Sequence, residues 1–378
     1  MIEGLALTPR RRPRAPWHAS RAVLDIGVPS TTPSAEVAAV EDVLWASREE
    51  LVRAMVAGDG ARDEEGRARR RDEAALHVET LAIAVGRRAP QLFAEHVRWA
   101  KLVHRARGGS VEALDAELER LAAGARTALG PRAREVLALI EAARARMPEP
   151  EAVPCSAIEG SGPLATLARR YLTLALGKRR GEAVALIREA ASSGTSVRDI
   201  FLHVLSPAQA EVGRLWELNL ASVADEHYCT AVTQLAVSAL HEHVFGAPRS
   251  GRTVVAAAAD GELHELGLRM VSDLLELDGW DTIYLGASLP REPVLALVRD
   301  LEPDLVALSA TLPRGVRDVA RLVEGLRADP RTRVTPVLVG GPPFTREPRL
   351  FERVGADATA KHAGEAVEVA ARLVERRR

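Results

Sequence analysis

Glu262-Leu263-His264-Glu265-Leu266-Gly267 holds the residues best spaced for chemistry in this chain. A carboxylate two residues before an imidazole can accept one ring N–H, which fixes the tautomer and leaves the other nitrogen for a metal. A glycine three residues after the histidine lets a bulky group approach the backbone. A second set lies upstream: Trp216 stands ten residues before Glu226 and eleven before His227. Together these offer a flat stacking face, a carboxylate for hydroxyl groups and a second imidazole. In a third set, His96 and Trp99 share one helical stripe with Leu92, Phe93, Ala100 and Val103, and His104 lies eight residues after His96, two turns along, where it could share a pocket. His96 there reads first as a core histidine, with a contact to a flat ligand such as a tetrapyrrole as the alternative.

The elements that must position these residues follow from pattern. Gly251 to Ala259 is a short apolar run between turn residues and predicts a buried strand, and Leu268 to Leu277 predicts a helix. His264 therefore falls where a strand hands over to a helix, the end at which open α/β sheets bind ligands. Further strands are predicted at Thr253–Ala259, Thr282–Leu285, Leu305–Ser309, Val334–Val339 and Asp357–Thr359, with helices between, which implies a doubly wound parallel sheet over 249–378. Residues 164–248 read as four helices, Leu164–Leu176, Gly181–Ala191, Val197 through Pro207 to Leu218, and Ser222–Phe245, hence an antiparallel bundle. Ser222-Val-Ala-Asp225 is a capping box for the last of these. Residues 148–163 are a linker by composition, and 34–147 a helical domain. Within it Val37–Val56 reads as one helix, Asp63–Glu73 as a solvated charged stretch, and Pro90–Arg107 as an amphipathic helix, followed by a Ser110 cap. Residues 1–33, with Arg10, Arg11, Arg12, Arg14 and Arg21 among prolines, read as a disordered basic tail.

Composition removes several classes. Lys and Arg total 51 against 52 Asp and Glu, so no basic footprint for nucleic acid appears. Cys155 and Cys229 are too few for a disulfide framework or a metal cage. No apolar run approaches the roughly 18 residues of a membrane helix, and no apolar stretch follows the first charges, so a cytoplasmic protein is expected.

Glu262-x-His264-x-x-Gly267 resembles the Asp-x-His-x-x-Gly signature of cobalamin-binding domains, with Glu in place of Asp. Ser309-Ala-Thr311 after a third strand and Gly340-Gly341 after a fourth are similar to that family's later landmarks. The resemblance implies His264 as lower cobalt ligand, and a displaced nucleotide base lying past Ser309 and Thr311 and over the glycine pair. Trp216, Glu226 and His227, just ahead of such a domain, resemble the helical cap of light-sensing cobalamin proteins of the CarH, LitR and AerR type. There the tryptophan packs on the adenosyl group and the other two help to hold it. Two departures stand out. In CarH itself a histidine follows the tryptophan and takes the cobalt after light, whereas this chain has Glu217, and no helix-turn-helix of the MerR type is visible. The His96, Trp99 and His104 helix ahead of a capped cobalamin module is also similar to photocobilins, which carry a bilin as well.

The expected fold is thus a multidomain α plus α/β chain: helical N-terminal domain, four-helix cap, and a Rossmann-like or flavodoxin-like cobalamin-binding domain. The expected function is an adenosylcobalamin-dependent light sensor rather than an enzyme, with biliverdin as a second chromophore in one variant. Its expected partners are another copy of the chain and a protein target, with no nucleic acid and no membrane. The alternative is a corrinoid carrier for a methyltransferase system.

Overall fold

The computed structural model describes residues 35–57, 64–149, 153–244 and 248–376. The chain divides into two units, Met1–Thr32 and Pro33–Arg378, and every described residue belongs to the second. The basic tail expected over 1–33 lies outside the described residues.

Six helices come first: α1 (Ala35–Ala46), α2 (Arg48–Met55), α3 (Glu64–Gly86), α4 (Pro90–Ala106), α5 (Val111–Leu129) and α6 (Arg134–Ala145). The helix expected over Val37–Val56 breaks at Ser47, whose backbone carbonyl starts α2. The charged stretch after residue 63 is solvated, as expected, with residues 64–73 exposed or half-exposed. It winds on into the apolar Ala74–Gly86 turns as one 23-residue helix, because Glu, Arg and Ala are strong helix formers. Ser110 caps α5 by accepting from the Ala113 N–H at 3.1 Å. Leu44, Met55, Leu81, Phe93, Leu118 and Ile140 fill the core between these helices.

The bundle comprises α7 (Pro163–Leu176), α8 (Arg180–Ser192), α9 (Val197–Ile200), a π-helical turn over Phe201–Leu205, α10 (Ser206–Glu217), α11 (Val223–Ser238) and α12 (His241–Val244). Pro207 has no N–H to donate, and the ladder relaxes to wider spacing just before it. The Ser222 and Asp225 capping box starts α11 as expected. That helix stops at Ser238, short of the Phe245 the apolar pattern suggested, and a turn leads to α12.

The remainder alternates β1 (Thr253–Ala258), α13 (Leu266–Leu277), β2 (Asp281–Tyr284), α14 (Arg291–Leu301), β3 (Leu305–Ser309), α15 (Pro313–Ala328), β4 (Val337–Gly340), α16 (Pro342–Arg346), α17 (Leu350–Arg353), β5 (Ala358–Thr359) and α18 (Ala363–Glu375). The strands pair in the order β2-β1-β3-β4-β5, all parallel, which is the doubly wound sheet expected. β4 starts three residues later than Val334, which is exposed, because Pro336 cannot donate to the ladder. One face of the sheet (Val254, Ala256, Ala307, Leu338) shares a core with the bundle, α13 and α18. The other (Val255, Val306, Leu308, Val339) packs under α14 and α15, joined by Ile83, Ala89 and Leu92 from the N-terminal helices. Among the described residues no helix is long and apolar enough to cross a membrane.

Candidate functional site

β1 pairs with β2 on one side and β3 on the other, so the chain leaves these neighbours in opposite directions and a crevice opens at their carboxyl ends. Glu262 sits in that crevice and is buried. Its Oε1 accepts the His264 backbone N–H at 2.9 Å and lies 2.5 Å from His264 Nδ1. Its Oε2 accepts the backbone N–H groups of Thr311 at 2.6 Å and Leu312 at 3.2 Å. One carboxylate therefore ties the loop after β1 to the loop after β3. Burial pushes the Glu262 carboxyl up, but the hydrogen bonds from the His264 ring, the His264 N–H and Thr311 outweigh it and bring it to about 2. The same bond raises the His264 imidazole, against the opposing effect of burial, with the Glu226 carboxylate adding to the rise. His264 keeps 57% of its side chain exposed, and among the described residues only its Nδ1 is engaged. Nε2 is the nitrogen it offers outward.

The glycines divide by role. Gly341 has φ +108°, and a Cβ there would run into the Ala310 carbonyl oxygen, so the close approach of the β4 and β3 loops requires glycine. Gly340 and Gly267 have nothing within 4 Å of where a Cβ would stand, so this chain's own packing does not require glycine at either. Ser309 pairs in register with Ala258 and Gly340. By strand alternation these three share the face that carries Ala256 and Ala307, the side covered by α13 and α18. The carboxyl ends of three adjacent strands thus present only small side chains to the space between two helices.

The bundle supplies the opposite wall. Glu226 is half-buried and accepts from Thr230 Oγ1 at 3.1 Å, while Thr230 in turn accepts from Gln209 of α10 at 3.0 Å. His227 is exposed, its Nδ1 2.8 Å from Glu226 Oε2 and 3.0 Å from the Val223 carbonyl. Gln234 of α11 reaches Glu265 at 3.4 Å, and Tyr284 donates to the same carboxylate at 2.9 Å, which holds the bundle against the start of α13. Glu265 carried no signal in the sequence beyond its position beside His264.

Trp216 is half-buried in the last turn of α10, and one contact there has no local sequence signal. Trp99 of α4 stacks on it, ring centroids 6.4 Å apart at 29°, and donates its indole N–H to Glu217 Oε1 at 3.0 Å. His96 is buried, with Nε2 2.9 Å from Nδ1 of His77 and its ring 5.7 Å from that of Trp99. Desolvation lowers both imidazoles, His77 to about 4 with His104 contributing, and His96 well below its ordinary value with His77 and Arg346 contributing. The His104 ring packs against Gly109, where a Cβ would collide with it.

Two family models match this chain, each described as a B12 binding domain, over residues 252–372 and 167–241. Dimethylamine corrinoid protein 3 of Methanosarcina mazei is 32% identical over 127 residues, 32% of this chain and 71% of that protein. Its namesake in Methanosarcina acetivorans is 31% identical over 134 residues, 34% of this chain, and this chain spans 60% of its length. The HTH-type transcriptional repressor CarH of Myxococcus xanthus is 34% identical over 156 residues, 41% of this chain and half of that protein. The Methanosarcina barkeri monomethylamine corrinoid protein superposes with a TM-score of 0.51 at 22% identity, over 55% of this chain and 98% of its own, a likeness of fold.

Proposed function

This chain belongs to the family of B12-binding corrinoid proteins, and from that premise we propose that it is an adenosylcobalamin-dependent light sensor and regulator. The residues fit a corrinoid. His264 offers one imidazole nitrogen, which is all that a metal already held in a macrocycle asks of a protein. Gly267 and Gly340 leave open backbone, and Ser309 stands among small residues where a nucleotide tail needs room. In this reading His264 is the lower cobalt ligand, Glu262 its positioning carboxylate, and Thr311 and Gly341 shape the slot.

Adenosylcobalamin, when bound, supplies a cobalt–carbon bond weak enough for visible light to break. The chain's own part is to hold the adenosyl group and to respond to its loss. The observation that carries the sensor reading is the covered cap. Trp216 and Glu226 supply an aromatic ring and a carboxylate, and Trp216 is held by Trp99 of α4 and by Arg107. A methyl carrier must open that side to its partner enzymes, whereas a sensor gains from a cap whose packing depends on what lies beneath it. Loss of the group removes a contact from the cap, and the expected outcome is altered association with another copy of the chain or with a protein target. Glu217 stands where the light-state histidine of CarH would be, and its carboxylate is taken by Trp99, so the light state uses water or another residue such as His227.

The relatives named corrinoid proteins favour the second reading, a carrier for methyl transfer. Illumination separates the two. Holoprotein loaded with adenosylcobalamin in the dark is compared with its illuminated form by absorption and size-exclusion chromatography. A change in both supports the sensor; a bound, unaltered cofactor with identical elution favours the carrier. A bilin as second chromophore belongs to the same proposal, with His96, Trp99 and His104 as its contacts. It would have to displace the His77 and His96 pair, and a red-shifted band on adding biliverdin to the full chain is its test.

A further inference from the structure

We propose that α4 is a latch on the cap: Trp99 and Arg107 grip Trp216 and Glu217, so that the N-terminal helices decide whether the bundle can move off the sheet. The argument starts from how the N-terminal helices are mounted. Ile83, Ala89 and Leu92 lie in one apolar core with Val316, Val319 and Val323 of α15. Arg317 of α15 stacks over Trp45 at 4.7 Å and pairs with Asp42 at 2.6 Å and Glu41 at 3.5 Å. That is an interior-type junction, and it fixes these helices to the layer covering the far face of the sheet.

From that mount α4 reaches both walls of the crevice. Its Glu95 lies 3.8 Å from Arg346, at the end of α16, the helix that follows the glycine pair. One turn further on, Trp99 stacks on Trp216 and hydrogen-bonds Glu217. Beyond the end of α4, Arg107 lies 4.8 Å from the Trp216 ring centroid and donates to the carbonyls of Trp216 at 3.3 Å and Glu217 at 3.5 Å. The last carbonyls of a helix lack intrahelical partners and carry its negative pole, so a guanidinium there is a fitting cap.

The two junctions differ in kind. Mounting on α15 buries aliphatic side chains; the grip on α10 is made of one aromatic pair and a few polar contacts at half-buried residues. Separating the second costs far less than separating the first, and it acts on the last turn of α10, next to the turn into α11. A bundle that shifts must release Trp216 from Trp99 and Arg107, and anything that moves α4 alters the hold on Trp216.

The latch can be tested without any cofactor; its consequence for cobalamin rests on the proposed function. Amide hydrogen exchange of the full-length apoprotein is compared among wild type, Trp99→Ala, Trp99→Phe, Arg107→Ala and Glu217→Ala. Exchange across residues 212–224 is expected to rise about tenfold in Trp99→Ala, less in Trp99→Phe, which keeps a ring but loses the donor, with residues 266–277 unchanged. Glu217→Ala approaches the contact from the other helix and covers the case in which Trp99→Ala fails to fold. Trp99→Phe and Glu217→Ala combined should be less than additive, since both remove one bond. Exchange within twofold of wild type in every variant overturns the latch. The adenosylcobalamin to hydroxocobalamin affinity ratio then reads its consequence. A latch confirmed in a chain that takes up no cobalamin leaves this inference standing and the proposed function fallen; the reverse result does the opposite.

Discussion

Below the crevice, Glu262 takes the N–H groups of His264, Thr311 and Leu312 and the His264 ring, so the geometry of the histidine is written into backbone on two loops. Above it, Trp216, Glu226 and His227 sit on helix ends; Glu226 is held by Thr230, His227 by Glu226 and the Val223 carbonyl, and Trp216 by Trp99 of α4. Below, one buried carboxylate gathers four hydrogen bonds from two loops, whereas above each side chain has one or two partners and can change state at a cost of a few kcal/mol. The contrast suits a lower side that holds a cofactor in every state and an upper side that reports on it.

The hardest blow to the lower side is His264→Ala. It should weaken cobalamin binding by about 100-fold, because even residues behind a metal ligand cost 10–100-fold. Electron paramagnetic resonance of the Co(II) form should lose its protein nitrogen coupling, and retention of that coupling would refute the assignment. Next come the two glycines, which separate structure from ligand. Gly341→Ala forces a side chain at φ +108° against Ala310 and should cost about 2 kcal/mol or more in thermal unfolding of the apoprotein. Gly340→Ala meets open space, so its unfolding temperature should match wild type while cobalamin uptake falls. Equal behaviour of the two variants would erase that distinction.

On the upper side, Trp216→Ala should reduce the preference for adenosylcobalamin over hydroxocobalamin by about tenfold, as expected for one lost aromatic stack. Titration calorimetry with both forms checks it. The smallest effect concerns acid. His77 and His96 are neutral in the fold because burial depresses their pKa values. Above about pH 6.5 neither folded nor unfolded chain is protonated there, and no stability is lost. As pH falls towards about 4 the unfolded chain takes up protons that folded His77 does not, so stability declines across that window. Thermal unfolding followed by tryptophan fluorescence at pH 7.5 and 5 should show the lower midpoint at pH 5. For His77→Gln, less of that pH dependence should remain.

How much of this could be read in advance follows the same division. The lower motif spans six residues, so its members are neighbours in space as in sequence, and the short apolar run before it located it at the carboxyl edge of a parallel sheet. What the motif did not disclose is why Glu serves here: its carboxylate reaches both its own loop and Thr311, 49 residues on. The upper side depends on Trp99 meeting Glu217 across 118 residues, and no local pattern encodes such a meeting. His96 and Trp99 did announce a helix stripe, but an apolar stripe reads the same whether it faces a core, a ligand or another helix. Strand β4 starts later and helix α11 ends earlier than their patterns predict, at Pro336 and at the turn that begins with Ala239.

The π-helical turn at Phe201–Leu205 has one more consequence. Such a turn amounts to one additional residue wound into a helix, and each residue of an α-helix advances the azimuth by about 100°. Everything from Ser206 to Glu217 is therefore rotated by that angle relative to an uninterrupted helix. Trp216 owes its bearing towards Trp99 to that phase. Removing a single residue between 201 and 205 would leave every side chain of α10 intact and aim the tryptophan elsewhere, so the direction in which the cap faces is set by an integer.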